Sequence, residues 1–188
     1  PAGFTAKAAN WVKEAFENLG FPAHITNKGG ILIDLGGLDK NDALFLEDHV
    51  DTLGGMVAQI KSNGRLKLTK IGGMRAENGE AENARVYTRD DRIYEGTLQL
   101  INASVHVNPE YKTAKRDFDT TEIVLDEDVK SPEDTRKLGI EVGDFVCFEP
   151  RTRRTASGYL KSRFLDDKLS VGILLSFAKY LADRNITP

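Results

Sequence analysis

Ala43-Leu44-Phe45-Leu46-Glu47-Asp48-His49-Val50-Asp51 is the stretch on which the reading of this chain turns. Its four consecutive apolar residues predict a central strand buried on both faces, the kind found in α/β sheets. His49 and Asp51 follow at its C-terminal end. On extended backbone, residues i and i+2 point the same way, so the two side chains share one side. Ligand sites in open α/β sheets lie at that end of the strands. A neutral imidazole binds zinc-like metals, and a nearby carboxylate can hold or polarise the ring. A hydrogen-bonded pair in a loop would account for the same two residues.

Upstream, Ala8, Trp11, Val12, Ala15, Phe16 and Leu19 recur at the spacing of one buried helix face. Thr5 is placed to cap that helix and Gly20 to end it. Two strands, Ala23–Thr26 and Ile31–Leu35, flank the hairpin-type turn Asn27-Lys28-Gly29-Gly30. The turn-rich stretch 36–42 then leads into Ala43. A helix, a hairpin and a doubly buried strand open an α/β domain.

Downstream the character changes. Met56–Ile60, Leu66–Ile71, Arg85–Thr88, Arg92–Leu98, Glu122–Leu125 and Asp144–Phe148 are closely spaced short strands, predicting a small β-barrel or sandwich. Ser131 and Pro132 open one short helix within it, and Gly139 closes that helix. The Arg151–Arg154 run reads as a solvated loop returning from the insert. Lys168–Leu181 then predicts a long helix with Leu169, Ile173, Phe177, Tyr180 and Leu181 on its apolar face. Asp166 and Asp167 stand at its start, where negative charge is favoured; capping by carboxylates is the ordinary reading of such a pair. The expected organisation is therefore residues 1–57 as the first part of an α/β domain, 58–158 as a β insert, and 159–188 as the α/β domain resumed.

The 188 residues are 40% hydrophobic and 29% charged, a globular composition, with a net charge of -3. Acids and bases are mixed along the chain, against the segregated basic patch of a nucleic-acid binder. No apolar run approaches the roughly 20 residues that span a bilayer, and no basic-then-apolar signal segment opens the sequence. Residue 1 is Pro, so the chain is expected to begin after processing or inside a longer product. The single Cys147 sits in an apolar strand as a small buried hydrophobe, and a cytoplasmic location fits.

Taken together and in order, these stretches resemble the glutamyl and tetrahedral aminopeptidases, dinuclear-metal peptidases once labelled endoglucanases. Leu46-(two residues)-His49-Val50-Asp51-Thr52-Leu53-Gly54-Gly55-Met56-Val57 resembles their first metal motif, and Lys161-Ser162-Arg163-Phe164-Leu165-Asp166-Asp167-Lys168 their second. Ile123–Asp126, Ser131–Arg136 and Leu138–Asp144 are similar to the end of the family's inserted β domain, and Pro1-Ala2-Gly3 to its opening. The resemblance implies a phosphorylase/aminopeptidase-like α/β domain, incomplete here, with an inserted small β-barrel that builds homo-oligomers. It implies two divalent metal ions, zinc, cobalt or manganese. His49 becomes a terminal ligand, Asp166 a ligand bridging both metals, and Asp51 the catalytic-site carboxylate that orients His49. It implies hydrolysis of N-terminal peptide bonds by a metal-activated water. His106, in Ala103-Ser104-Val105-His106-Val107, stands near a position where relatives carry His and is a candidate for substrate binding; an ordinary strand histidine is the alternative. His24 reads as structural or exposed.

The sequence also departs from that pattern. The family's general base, a Glu in a Glu-Glu pair, and its remaining ligands follow the second motif and fall beyond residue 188. Glu47 and Asp48 stand where the family has small or apolar residues, and Thr52 where it often has Glu. The isolated chain is accordingly expected to be inactive. An assembly or interaction module, or a related deacylase of the same clan, are the other functions considered.

Overall fold

The computed structural model describes residues 1–39 and 41–188. Lys40, in the turn-rich stretch 36–42, lies outside the described residues. The chain divides into two compact units: Pro1–Ala2 with Leu53–Arg163, and Gly3–Thr52 with Phe164–Pro188.

The first unit is a closed six-stranded barrel. Its strands are β3 (Gly54–Ile60), β4 (Leu66–Ile71), β5 (Asn83–Tyr87), β6 (Ile93–Leu100), β7 (Thr121–Leu125) and β8 (Phe145–Phe148). Around the barrel the order is β3-β4-β7-β6-β5-β8, and every neighbouring pair is antiparallel. Closure leaves no edge among these six strands. Their alternation explains the core: Val57, Leu66, Leu68, Ala84, Val86, Leu98, Leu100, Ile123, Leu125, Val146 and Phe148 are all buried. The short helix α2 (Pro132–Lys137) starts as its sequence predicts. Ser131 Oγ accepts from the Asp134 N–H at 3.2 Å, and Pro132 occupies the first turn. Thr135 Oγ1, buried, donates to the Gly64 carbonyl at 2.7 Å, tying α2 to the β3–β4 turn. Glu122, fully buried on β7, takes Lys61 and Arg65 as ion-pair partners. Removing one side of such a pair costs on the order of 3–5 kcal/mol.

Past the barrel, β9 (Arg153–Arg154) and β10 (Leu160–Lys161) form a separate antiparallel ribbon. The expected solvated loop is therefore partly ordered: Thr155 N–H donates to the Tyr159 carbonyl at 2.8 Å, and Arg163 N–H to Pro150 at 2.8 Å.

In the second unit, α1 (Ala6–Glu17) and α3 (Leu165–Arg184) pack with the hairpin β1 (Ala23–Ile25) and β2 (Ile31–Ile33). Val12, Phe16 and Ala178 form the buried centre, flanked by Leu19, Phe21, Ile31, Ile33, Val50, Val171, Leu174 and Leu175. Gly20 takes φ +90°, and Phe21 N–H returns to the Phe16 carbonyl at 3.1 Å, closing α1 as expected. Thr5 makes no side-chain cap, and Trp11 is 61% exposed.

Two further expectations fail here. Ala43–Leu46 is not a strand, and Leu44 and Phe45 are 86% and 71% exposed. A doubly buried strand needs ladder partners on both sides and cover on both faces; among the described residues no strand pairs with it. On α3 the apolar face read from the spacing is largely outward: Leu169, Ile173, Phe177 and Tyr180 are exposed, and of its five residues only Leu181 is buried. Val171, Leu174, Leu175 and Ala178 face the core instead. The helix is apolar around most of its circumference, so periodicity did not single out the covered side.

Candidate metal centre

Val50 is the residue that aims the site. Its side chain packs against the core formed by α1 and α3, which anchors the segment that carries His49 and Asp51. His49 Nδ1 lies 3.3 Å from Asp51 Oδ1. The other ring nitrogen, Nε2, lies 3.1 Å from Asp166 Oδ1. The imidazole thus sits between two carboxylates, one per nitrogen, and is half exposed.

Asp166 reaches this position because α3 does not start as a regular helix. Phe164 is left-handed (φ 58°, ψ 40°), and Asp166 (φ -81°, ψ 107°) and Asp167 (φ -121°, ψ 24°) depart from helical geometry. The Asp166–Asp167 peptide is cis. With non-helical angles at both carboxylates and no side-chain cap bond, the pair does not cap the helix in the ordinary way. Asp166 meets His49, and its neighbour Asp167 meets Asp48.

The electrostatics follow from that pairing. Desolvation pulls the His49 pKa down, but the charge of Asp51, its hydrogen bonding and then Asp166 outweigh it, leaving the pKa raised. Asp48 is also raised, first by burial and then by the charge and hydrogen bond of Asp167, with His49 opposing. Its Oδ2 is buried without a hydrogen-bond partner. Sequence reasoning saw Glu47-Asp48 only as a departure from a motif. The two acidic dipeptides, Glu47-Asp48 and Asp166-Asp167, are visible in the sequence, but only the fold brings Asp48 and Asp167 together.

The donors suit a zinc-like metal in chemistry and spacing. Two ligands of one tetrahedral zinc stand about 3.3 Å apart, close to the 3.1 Å between His49 Nε2 and Asp166 Oδ1. They would fill two positions of such a site. Among the described residues no group of three or more His, Cys, Asp or Glu side chains converges as a full metal cage. His106 lies exposed in a turn of the barrel unit rather than in a strand, and His24 is exposed on β1. Among the described residues no helix is long and apolar enough to cross a membrane.

Residues 29–187 match the family model described as M42 glutamyl aminopeptidase. The chain belongs to the M42 glutamyl aminopeptidase family. It is 42% identical over 186 residues to the Bacillus subtilis protein named "Putative aminopeptidase YhfE", covering 99% of this chain and 54% of that one. Its fold is similar to that of an aminopeptidase from the archaeon Desulfurococcus kamchatkensis, with a TM-score of 0.83 at 23% identity over 96% of this chain and 48% of the other. It is also similar to a TET1 peptidase of Pyrococcus horikoshii, described as assembling into a tetrahedron or a large octahedral shell. There the TM-score is 0.72 at 19% identity, over 93% of this chain and 50% of the other. The chain spans about half the length of the curated relatives it matches. An M42 α/β fold with a closed barrel is thus the architecture of this chain.

Proposed function

We propose that this chain supplies the N-terminal half of a metal-dependent aminopeptidase site acting on peptides. The observation that carries the reading is His49 held between Asp166 on Nε2 and Asp51 on Nδ1. His49 and Asp166 would hold the metal, and the family resemblance gives Asp166 the role of a ligand shared by two ions. Asp51 fixes the ring and makes Nε2 a better donor. When bound, zinc, cobalt or manganese would polarise the scissile carbonyl and lower the pKa of a water. The chain spans about half of its M42 relatives, and the general base and further ligands that the resemblance implies would lie in the remainder, so the full reaction would require that part. Assembly into homo-oligomers through the barrel is proposed by analogy with the shell-forming peptidase.

The test is isothermal titration of the chelator-stripped chain with Zn²⁺, Co²⁺ and Mn²⁺, alongside release of free amino acids from short peptides. Weak binding by the 188 residues, lost in His49→Ala and Asp166→Asn, is expected. Peptide hydrolysis is expected only when the second half is supplied. Binding that is indifferent to both substitutions would remove these residues from the metal site. A second reading, a noncatalytic assembly module, is favoured by the incomplete donor set. It predicts an oligomer that survives complete chelation with no peptidase activity even when the second half is present.

A further inference from the structure

Residues 151–163 contain five cations, Arg151, Arg153, Arg154, Lys161 and Arg163, and no carboxylate, in a chain of net charge -3. The β9–β10 ribbon folds them into one place. Its register sets Arg153 directly opposite Lys161 and Arg154 opposite Leu160. Directly opposed residues of an antiparallel pair share a face with Cβ atoms about 5 Å apart, and like charges so placed oppose the pairing. Ordinarily an acidic neighbour relieves such a pair.

Glu82 relieves only the base of the ribbon. Its Oε2 accepts Arg151 at 2.9 Å and Arg163 at 2.7 Å, and the residue is buried. One carboxylate already shared by two guanidinium groups leaves little for a third. Arg153, Arg154 and Lys161 are exposed, and among the described residues none of them has an acidic partner. A second property is independent of charge. Each of β9 and β10 pairs with the other and with no further described strand. Both outer edges therefore offer main-chain donors and acceptors of the kind an added strand uses.

We propose that the β9–β10 ribbon is a docking edge for an extended acidic peptide segment. The segment's backbone adds to the ribbon, and its carboxylates lie against Arg153 and Lys161. A carboxylate matches the forked donors of Arg153, and side chains on alternate residues of an added strand keep to one face. A nucleic acid could use the cations but not the strand edge, and so short a patch on a net-negative chain is a poor electrostatic footprint for it. The proposal depends on neither the metal centre nor the peptidase reading.

The experiment is fluorescence anisotropy with the full 188-residue chain and a labelled Thr-Glu-Val-Glu-Thr-Glu-Val peptide at low and moderate salt. Controls are the same peptide with Gln for Glu, one with alternate backbone nitrogens methylated, and an oligothymidylate of equal length. Saturable, salt-weakened binding of the acidic peptide is expected, with at least tenfold loss in the Gln and N-methyl peptides. Arg153→Ala/Lys161→Ala should lose at least tenfold with an unchanged circular dichroism spectrum. Arg153→Glu/Lys161→Glu should lose the acidic peptide and bind its Lys counterpart. No binding at low salt, equal binding by the alanine variant, full binding of the N-methyl peptide, or oligothymidylate binding as tight as peptide would each overturn the proposal.

Discussion

Asp144, at the mouth of β8, is almost wholly removed from water and only half satisfied. Its Oδ2 accepts the Glu141 N–H at 2.8 Å, while Oδ1 has no partner and Arg89 Nε stays 4.0 Å away. Burial raises its pKa, against the pull of the Glu141 hydrogen bond and of Arg89. A carboxyl with a raised folded pKa favours folding fully below its unfolded value of about 3.9 and loses that contribution as pH rises through the folded value. Asp144→Asn keeps the Glu141 contact and removes the buried charge. It should therefore raise the unfolding midpoint at pH 7, by on the order of 1 kcal/mol, and the gain should shrink toward pH 3 in urea titrations. His49 obeys the same sign. Its raised pKa favours folding below about 6.5 and loses that support as pH rises through the folded value. A metal must displace that proton, so divalent-ion affinity should climb as pH passes through it. In an NMR titration of the imidazole, Asp51→Asn should lower the midpoint. An unchanged midpoint would deny Asp51 its role toward the ring.

On β6 one position admits no side chain. Gly96 faces Leu125 across the β6–β7 ladder, and a Cβ there would meet the Val124 carbonyl oxygen at 2.5 Å and Ile123 Cγ2 at 2.9 Å. Both are parts of a closed barrel that cannot open locally without loss of ladder bonds. Gly96→Ala should cost about 1–3 kcal/mol of overpacking, measured by chemical denaturation. A neutral result would mean that the β6–β7 spacing relaxes. The barrel strands were readable from sequence because alternating apolar residues and punctuating turns are local signals: β3, β4, β5, β6, β7 and β8 all fall on predicted segments. The Ala43–Leu46 strand was misread for the opposite reason. An unbroken apolar run reports that a segment is suited to burial, not what stands beside it.

At the scale of the whole molecule, the α/β unit leaves much apolar surface uncovered. Leu44, Phe45 and Leu46 are exposed before the His49 motif, and Leu169, Ile173, Phe177 and Tyr180 along α3. Single exposed apolar residues are ordinary, but such a concentration marks a surface that seeks cover. The 188-residue chain should bind a hydrophobic reporter dye and self-associate as its concentration rises. Phe45→Ser with Phe177→Ser should reduce both effects in dye titration and sedimentation velocity without lowering the unfolding midpoint. Dye binding that is unchanged in the double variant would place the sticky surface elsewhere.

The sequence alone determined helices α1 and α3, the run of short barrel strands and the capped start of α2, and its two short motifs, read with the family resemblance, gave His49, Asp51 and Asp166 as candidates. Each of these is written in periodicity, turn chemistry or a motif a few residues long. Only the tertiary structure decided that His49 meets Asp166 across more than a hundred residues, that Asp48 meets Asp167, and that Glu82 gathers Arg151 and Arg163. It also decided which face of α3 is covered. Those facts depend on packing between distant segments, and a sequence shows what each segment could bury or bind but not which partner reaches it.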